Sequence, residues 1–212
     1  MRLQFLRNLL IPALLLVMAS ISAAETTTSF SGMDMGLTYE FLSLTESDIE
    51  DTYGHISLFG LEAAVPIGIN TSVILNGAYG QTNGNPFFDD PTFTGPADQT
   101  VKISPFSLGF RSNVSQNDRL RIYISAAFQA TWIQEETIET SEGFGYGFIF
   151  GYGPEWRSQD DRLGISMLAQ WRGGSGDLGR GYESHTFNTT GFSMRLGVTY
   201  SLGNQSGEIG HD

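Results

Sequence analysis

The sequence predicts an all-β protein, an eight-stranded antiparallel up-and-down transmembrane β-barrel. Three observations predict it. Apolar residues recur with period two in eight segments. The connections between these segments alternate short and long. In segment 144–156, Tyr146, Phe148, Phe150, Tyr152 and Trp156 share one face, while Gly145, Gly147, Ile149, Gly151, Gly153 and Glu155 share the other. Strand side chains alternate between faces, so one face is nearly all large aromatics and the other is mostly glycine. That second face is too small and too neutral to meet water. A lipid-facing exterior around a tight interior accommodates both.

The first segment, 33–43, sets Met33, Met35, Leu37, Tyr39 and Phe41 on one face. The second, 56–65, sets Phe59, Leu61, Ala63 and Val65 together, with Ile56 and Leu58 departing from the alternation. The third, 72–80, carries Val73, Leu75, Gly77 and Tyr79. The fourth, 101–112, carries Phe106, Leu108 and Phe110; Pro105 within it predicts a bulge, because proline has no donor for the ladder. The fifth runs through Leu120, Ile122, Ile124, Ala126, Phe128, Ala130 and Trp132. After the aromatic sixth, the seventh carries Leu163, Ile165, Met167, Ala169 and Trp171, and the eighth Phe192, Met194, Leu196, Val198, Tyr200 and Leu202.

Connections 66–70, 113–118 and 157–161 are short, and 45–54, 81–99, 133–143 and 173–189 are long. An even strand count puts both termini on the short-turn side, the periplasm, and the long loops outside the cell. Tyr79, Trp132, Trp156, Trp171 and Tyr200 fall near strand ends, where a membrane interface accepts an apolar ring with a wet polar group.

Residues 1–24 read as a secretory signal: Arg2 and Arg7 precede an apolar stretch 9–18, and Ser22 and Ala24 mark cleavage after Ala24. Residues 25–31 are then an N-terminal periplasmic segment, 32–202 the barrel and 203–212 a polar periplasmic tail. Removing the two arginines takes the formal net charge from −12 to −14, which excludes nucleic acid as a partner. The absence of cysteine excludes a disulfide framework and a thiolate metal site. The acids cluster between strands: Glu46, Asp48, Glu50 and Asp51; Asp89, Asp90 and Asp98; Glu135, Glu136, Glu139 and Glu142. Lys102 is the only lysine.

Strand parity places Asp34, Glu40, Glu62 and Glu155 inside, with Arg111, Arg121, Arg172 and Arg195. Buried charges persist only when paired, so these eight predict a salt-bridge network filling the lumen. Neighbouring strands suggest Arg111 and Arg121 as partners of Glu155, and Arg195 as partner of Glu40. Eight strands enclose room for side chains or one small ligand.

The last segment reads Arg195-Leu-Gly-Val-Thr-Tyr-Ser-Leu202. It resembles the C-terminal assembly signal of outer-membrane barrels, with Arg195, Gly197, Tyr200 and Leu202 in the signal positions. The whole chain resembles the small eight-stranded bacterial outer-membrane barrels, such as the transmembrane domain of outer-membrane protein A. The resemblance implies assembly by the barrel-assembly machinery, contact with outer-membrane lipid and lipopolysaccharide, and a monomer. The expected role is structural or surface interaction through acidic loops, with an extracellular ligand left open. A narrow channel for small solutes is one alternative.

The other alternative is a lipid A-modifying enzyme, since two barrel families of this strand number, a deacylase and a palmitoyltransferase, use a histidine and a serine near the outer leaflet. Ser184 with His185, and His55 with Ser57, are the openings for that chemistry here. Neither matches those families' motifs, and a solvated loop histidine explains each. His211 lies in the tail. No calcium-loop pattern occurs, and Gly173–Gly179 precedes no helix, so neither a metal, a cofactor nor a phosphate loop is expected.

Overall fold

The computed structural model describes residues 32–45, 53–84, 99–117, 119–136, 140–179 and 185–202. The expected signal, N-terminal segment and tail lie outside these residues. So do Glu46, Asp48, Glu50, Asp51, Asp89, Asp90, Asp98, Glu139, Ser184 and His211.

Among the described residues, nine strands form one antiparallel sheet: β1 Met33–Leu44, β2 His55–Pro66, β3 Thr71–Gly84, β4 Gln99–Gln116, β5 Leu120–Glu136, β6 Thr140–Arg157, β7 Leu163–Leu178, β8 His185–Asn188 and β9 Gly191–Leu202. Each barrel strand pairs with its successor as far as β7, β7 pairs with β9, and β9 pairs with β1 to close the cylinder. The barrel has the eight walls the alternation predicts. The ninth strand, β8, is a short hairpin arm on the outer part of β7, pairing Ser175 with Asn188 and Leu178 with His185.

Period two explains the wall. Outward residues such as Leu37, Leu61, Phe106, Phe148, Tyr152, Ile165 and Val198 are exposed, while their sequence neighbours are buried or half-buried. Trp156 and Tyr200 mark the turn end of the apolar belt. Tyr79, Trp132 and Trp171 mark the loop end.

Three expectations need correction. Strands β5 and β6 continue past the expected loop start, so only residues 137–139 connect Glu136 to Thr140. The polar sequence there carries no apolar alternation, yet backbone pairing continues through Glu136 and Thr140. Pro105 makes no bulge. It holds its place opposite Thr131, and the β3–β4 ladder instead omits the pairs between Gly77/Phe106 and Gly80/Ile103 without changing register. A missing N–H removes a rung but does not add a residue. The register shift in β4 lies between Asn113 and Ser115. Ile56 and Leu58, which seemed to break the pattern, are in phase with inward Glu62: both are fully buried, because the inside of the barrel is apolar at that level.

Glycine parity has a physical cause at the β6–β7 seam. Gly145 and Gly147 stand opposite Gly176 and Gly174. A Cβ at Gly145 would lie 2.9 Å from the Ser175 carbonyl oxygen, and one at Gly174 2.9 Å from Thr189 Oγ1. The glycines therefore admit close strands, and the buried Thr189 side chain takes the space they leave.

Candidate functional site: the lumen

The lumen is filled in two chemically different layers. At the loop end, Leu42, Leu44, Ile56, Leu58, Val101, Ile103, Ile133 and Leu178 form an apolar cluster, each 0 or 1% exposed. Two aromatics from the connections close over it. Phe187 comes from β8, and Tyr53 precedes Gly54, which adopts a positive φ of 60°. The Tyr53 hydroxyl donates to Glu135 at the outer end of β5. Burial pushes this phenol well above its ordinary value, and the Glu135 bond pushes it further. A salt-bridge network filling the lumen was expected; the loop end is instead a hydrocarbon core.

Toward the turn end the filling becomes ionic. Glu62 accepts from Arg111 at 3.1 Å and lies 2.9 Å from Arg195. Asp34 pairs with Arg157 and lies 3.7 Å from Arg111. Arg157 lies 3.0 Å from Glu155, and the Thr199 hydroxyl donates to Glu155 at 3.1 Å. Arg121 reaches Asp161 in the β6–β7 turn at 2.6 Å. Higher in the barrel, Arg172 pairs with Glu40. Arg111 also stacks on the Tyr123 ring, 4.6 Å from its centroid.

All eight residues expected inside therefore take part in ion pairs, but the expected partners are wrong. Glu155 pairs with Arg157, not with Arg111 or Arg121, and Glu40 pairs with Arg172, not with Arg195. The Cα register does set Arg121 opposite Glu155 and Glu40 opposite Arg195. In a narrow tilted barrel, however, a long arginine spans an intervening strand when that strand offers a small residue. Arg111 faces Ser72 on β3 and passes it to reach β2. Arg172 faces Gly191 on β9 and passes it to reach β1.

Arg157 and Asp161 were assigned to a turn by sequence. Arg157 is in fact one of the largest fully buried side chains. Its parity with Gly153 and Glu155 was the available signal. Asp161 has φ 54°, a left-handed conformation that aspartate tolerates, and this turn aims its carboxylate at Arg121 and Arg157. Gly164 completes the fit. A Cβ there would collide with Glu155 Oε1 and stand 2.5 Å from Thr199 Oγ1.

Two spaces remain. One, of about 10 Å³, lies among Glu40, Gln170, Arg172 and Arg195. The other, 190 Å³, opens at the turn end between Asp34, Arg111, Arg121, Arg157 and Asp161.

The candidate histidines are placed differently. His55 is exposed, and its ring packs on Phe41 with centroids 4.6 Å apart, while the Ser57 hydroxyl bonds to the Tyr39 hydroxyl at 2.9 Å. His185 opens β8, and Ser184 lies outside the described residues. Lys102 pairs with Glu136. The signal positions Tyr200 and Leu202 face outward on β9, and Arg195 faces the lumen.

No family model matches the sequence, and no curated protein matches it. Solved structures do match. OprG of Pseudomonas aeruginosa superposes with a TM-score of 0.59 at 10% identity, covering 82% of this chain and 97% of that one. It has the fold of the small outer-membrane β-barrels. Outer membrane protein AlkL, determined in DMPC bilayers, gives a TM-score of 0.53 at 7% identity over 85% of this chain and 95% of its own. The N-terminal barrel domain of Pseudomonas aeruginosa OprF gives 0.52 at 11% identity over 82% and 100%. Identities this low carry the architecture and leave function to the residues.

Proposed function

We propose that this protein is an integral outer-membrane barrel, closed by its own side chains, with a structural or surface-interaction role through its loop end. The observation that carries the reading is the filling of the lumen. An apolar layer of aliphatic side chains 0 or 1% exposed spans the loop end, ionic pairs span the turn end, and a space of about 10 Å³ lies between them, room for about one water. Eight strands are the size class in which side chains fill the interior; aqueous pores need about sixteen. The exposed apolar belt supports residence in lipid.

On this reading the chain is exported by the 1–24 signal and cleaved after Ala24. It is assembled through Arg195, Gly197, Tyr200 and Leu202, and embedded beside lipopolysaccharide with its long connections outside. Membrane fractionation and heat-modifiable gel migration test the location; a freely soluble periplasmic protein would refute it. Planar-bilayer recording tests closure. A silent trace is expected, and discrete conductance steps would replace this reading with that of a narrow channel.

A further inference from the structure

We propose that the turn-end cavity is a binding site for a small oxyanion, with Arg121, Arg111 and Arg157 as its donors. The cavity has a volume of 190 Å³ and opens at the mouth that the foregoing reading places in the periplasm. Water occupies roughly 30 Å³ per molecule in the liquid, so a phosphate or small carboxylate fits there with some of its hydration. The titratable groups on its wall are Asp34, Arg111, Arg121, Tyr123, Arg157 and Asp161, with Glu62 and Glu155 behind the wall against Arg111 and Arg157.

Charge is balanced by these four carboxylates, and the inequality lies in hydrogen-bonding capacity. A guanidinium offers five N–H donors and no acceptor, so the three arginines bring about fifteen donors. Their carboxylate neighbours take only part of that capacity: Arg157 lies 3.0 Å from Glu155, and Arg111 3.7 Å from Asp34. Arg111 donates to Glu62. Arg157 donates to Asp34, to the Ser201 hydroxyl at 2.9 Å and to the Asp161 carbonyl at 3.4 Å. Arg121 donates to Asp161 and to the Tyr123 hydroxyl. Arg111 and Arg157 have side chains only 3 and 2% exposed, and the Nε of each has no hydrogen-bond partner among the described residues. Planar forked donors of this kind match the oxygens of phosphate and carboxylate. Arg121 and Asp161, at 22 and 25% exposure, are the solvent-facing pair. An entering anion would share Arg121 with Asp161, which makes Asp161 an internal competitor for the site.

Isothermal titration of the folded barrel in octyl glucoside, a phosphate-free detergent, tests this with inorganic phosphate. Sodium chloride at matched ionic strength is the control, and heat-modifiable migration confirms that each variant is folded. Saturable phosphate binding is expected. Arg121→Gln should weaken it about tenfold, the loss of one charge-assisted hydrogen bond. Asp161→Asn, which keeps a side chain suited to the positive φ, should tighten it. Lys102→Gln, at the opposite end of the barrel, should leave it unchanged. A parallel titration with glycerol 3-phosphate separates a free ion from a lipid headgroup as the source, since a headgroup site would prefer the ester. Heat no different from the chloride control, an unchanged affinity in Arg121→Gln, or weaker binding in Asp161→Asn would each overturn the proposal. None of these outcomes depends on whether the lumen conducts.

Discussion

At the loop end the lumen is closed by leucine, isoleucine and valine side chains; at the turn end the same cylinder is closed by arginine, glutamate and aspartate. Both layers occupy the inward positions of the same strands. On β1, Leu42 and Leu44 belong to the first layer, Asp34 to the second, and Glu40 lies between. The comparison shows two ways of stopping a narrow barrel. The apolar layer gains from area removed from water and accepts approximate fits. The ionic layer works only if each charge meets its partner, because an unpaired buried charge costs far more than a pair contributes.

The largest test removes a shared partner in the ionic layer. Glu62→Ala leaves Arg195 and Arg111 without their common carboxylate. The expected loss is about 3–5 kcal/mol of folding free energy, the cost of an uncompensated buried charge. Reversible urea unfolding in lipid vesicles, followed by tryptophan fluorescence, measures it. A loss under 1 kcal/mol would mean that water reaches this layer. In the apolar layer, Leu58→Ala should cost about 2–5 kcal/mol through lost burial and the cavity left behind, with the same readout. Leu58→Met should restore most of that, a tolerance not expected of any change at Glu62.

Gly164→Ala places a methyl group against Glu155 and Thr199. A cost of about 1–3 kcal/mol is expected from overpacking. A double-mutant cycle over Glu40→Ala and Arg172→Ala should return a coupling of about 0.5–3 kcal/mol, larger than a cycle over Glu40 and Arg195. The reverse order would restore lateral pairing as the rule of the interior. The smallest effect belongs to the cap. Tyr53→Phe removes the hydrogen bond to Glu135 and should cost about 0.5–1.5 kcal/mol near neutral pH. The folded state holds the Tyr53 proton more tightly than the unfolded chain, whose phenol titrates near the ordinary value of 10.0. This contribution is therefore complete below pH 10 and falls as pH rises beyond it. An unfolding series above pH 10 should show a steeper decline for the native protein than for Tyr53→Phe.

Much of the wall was legible, because lipid outside and a packed interior impose a strict two-residue period. Strand ends such as Met33, Leu120, Leu163 and Leu202 follow from it directly. The period fades where β5 and β6 continue beyond the apolar belt into Gln134, Glu135, Glu136 and Glu142, so their full height was not readable. Inward placement of Glu40, Glu62 and Glu155 follows from parity, and Arg157 would have followed too had β6 been extended by one residue. Pairing was not readable, because it depends on which neighbour is small enough to be passed over. Ser72 and Gly191 matter as gaps, and a gap has no signature of its own in a linear sequence.

The first and last strands of the barrel form one of its seams, with Asp34 beside Ser201, 167 residues apart in the chain. Such a contact forms only when almost the entire polypeptide is in place, and the loop entropy of that meeting is met last. Until then Arg157 lacks Asp34, Arg172 lacks Glu40 and Arg195 lacks Glu62. An unfinished barrel therefore holds Arg172 and Arg195 without their carboxylates and Arg157 with only Glu155 and Asp161, and closure completes all three sets together. The joining seam acts as a completion check: partial assemblies are penalised by the same charges that stabilise the finished cylinder.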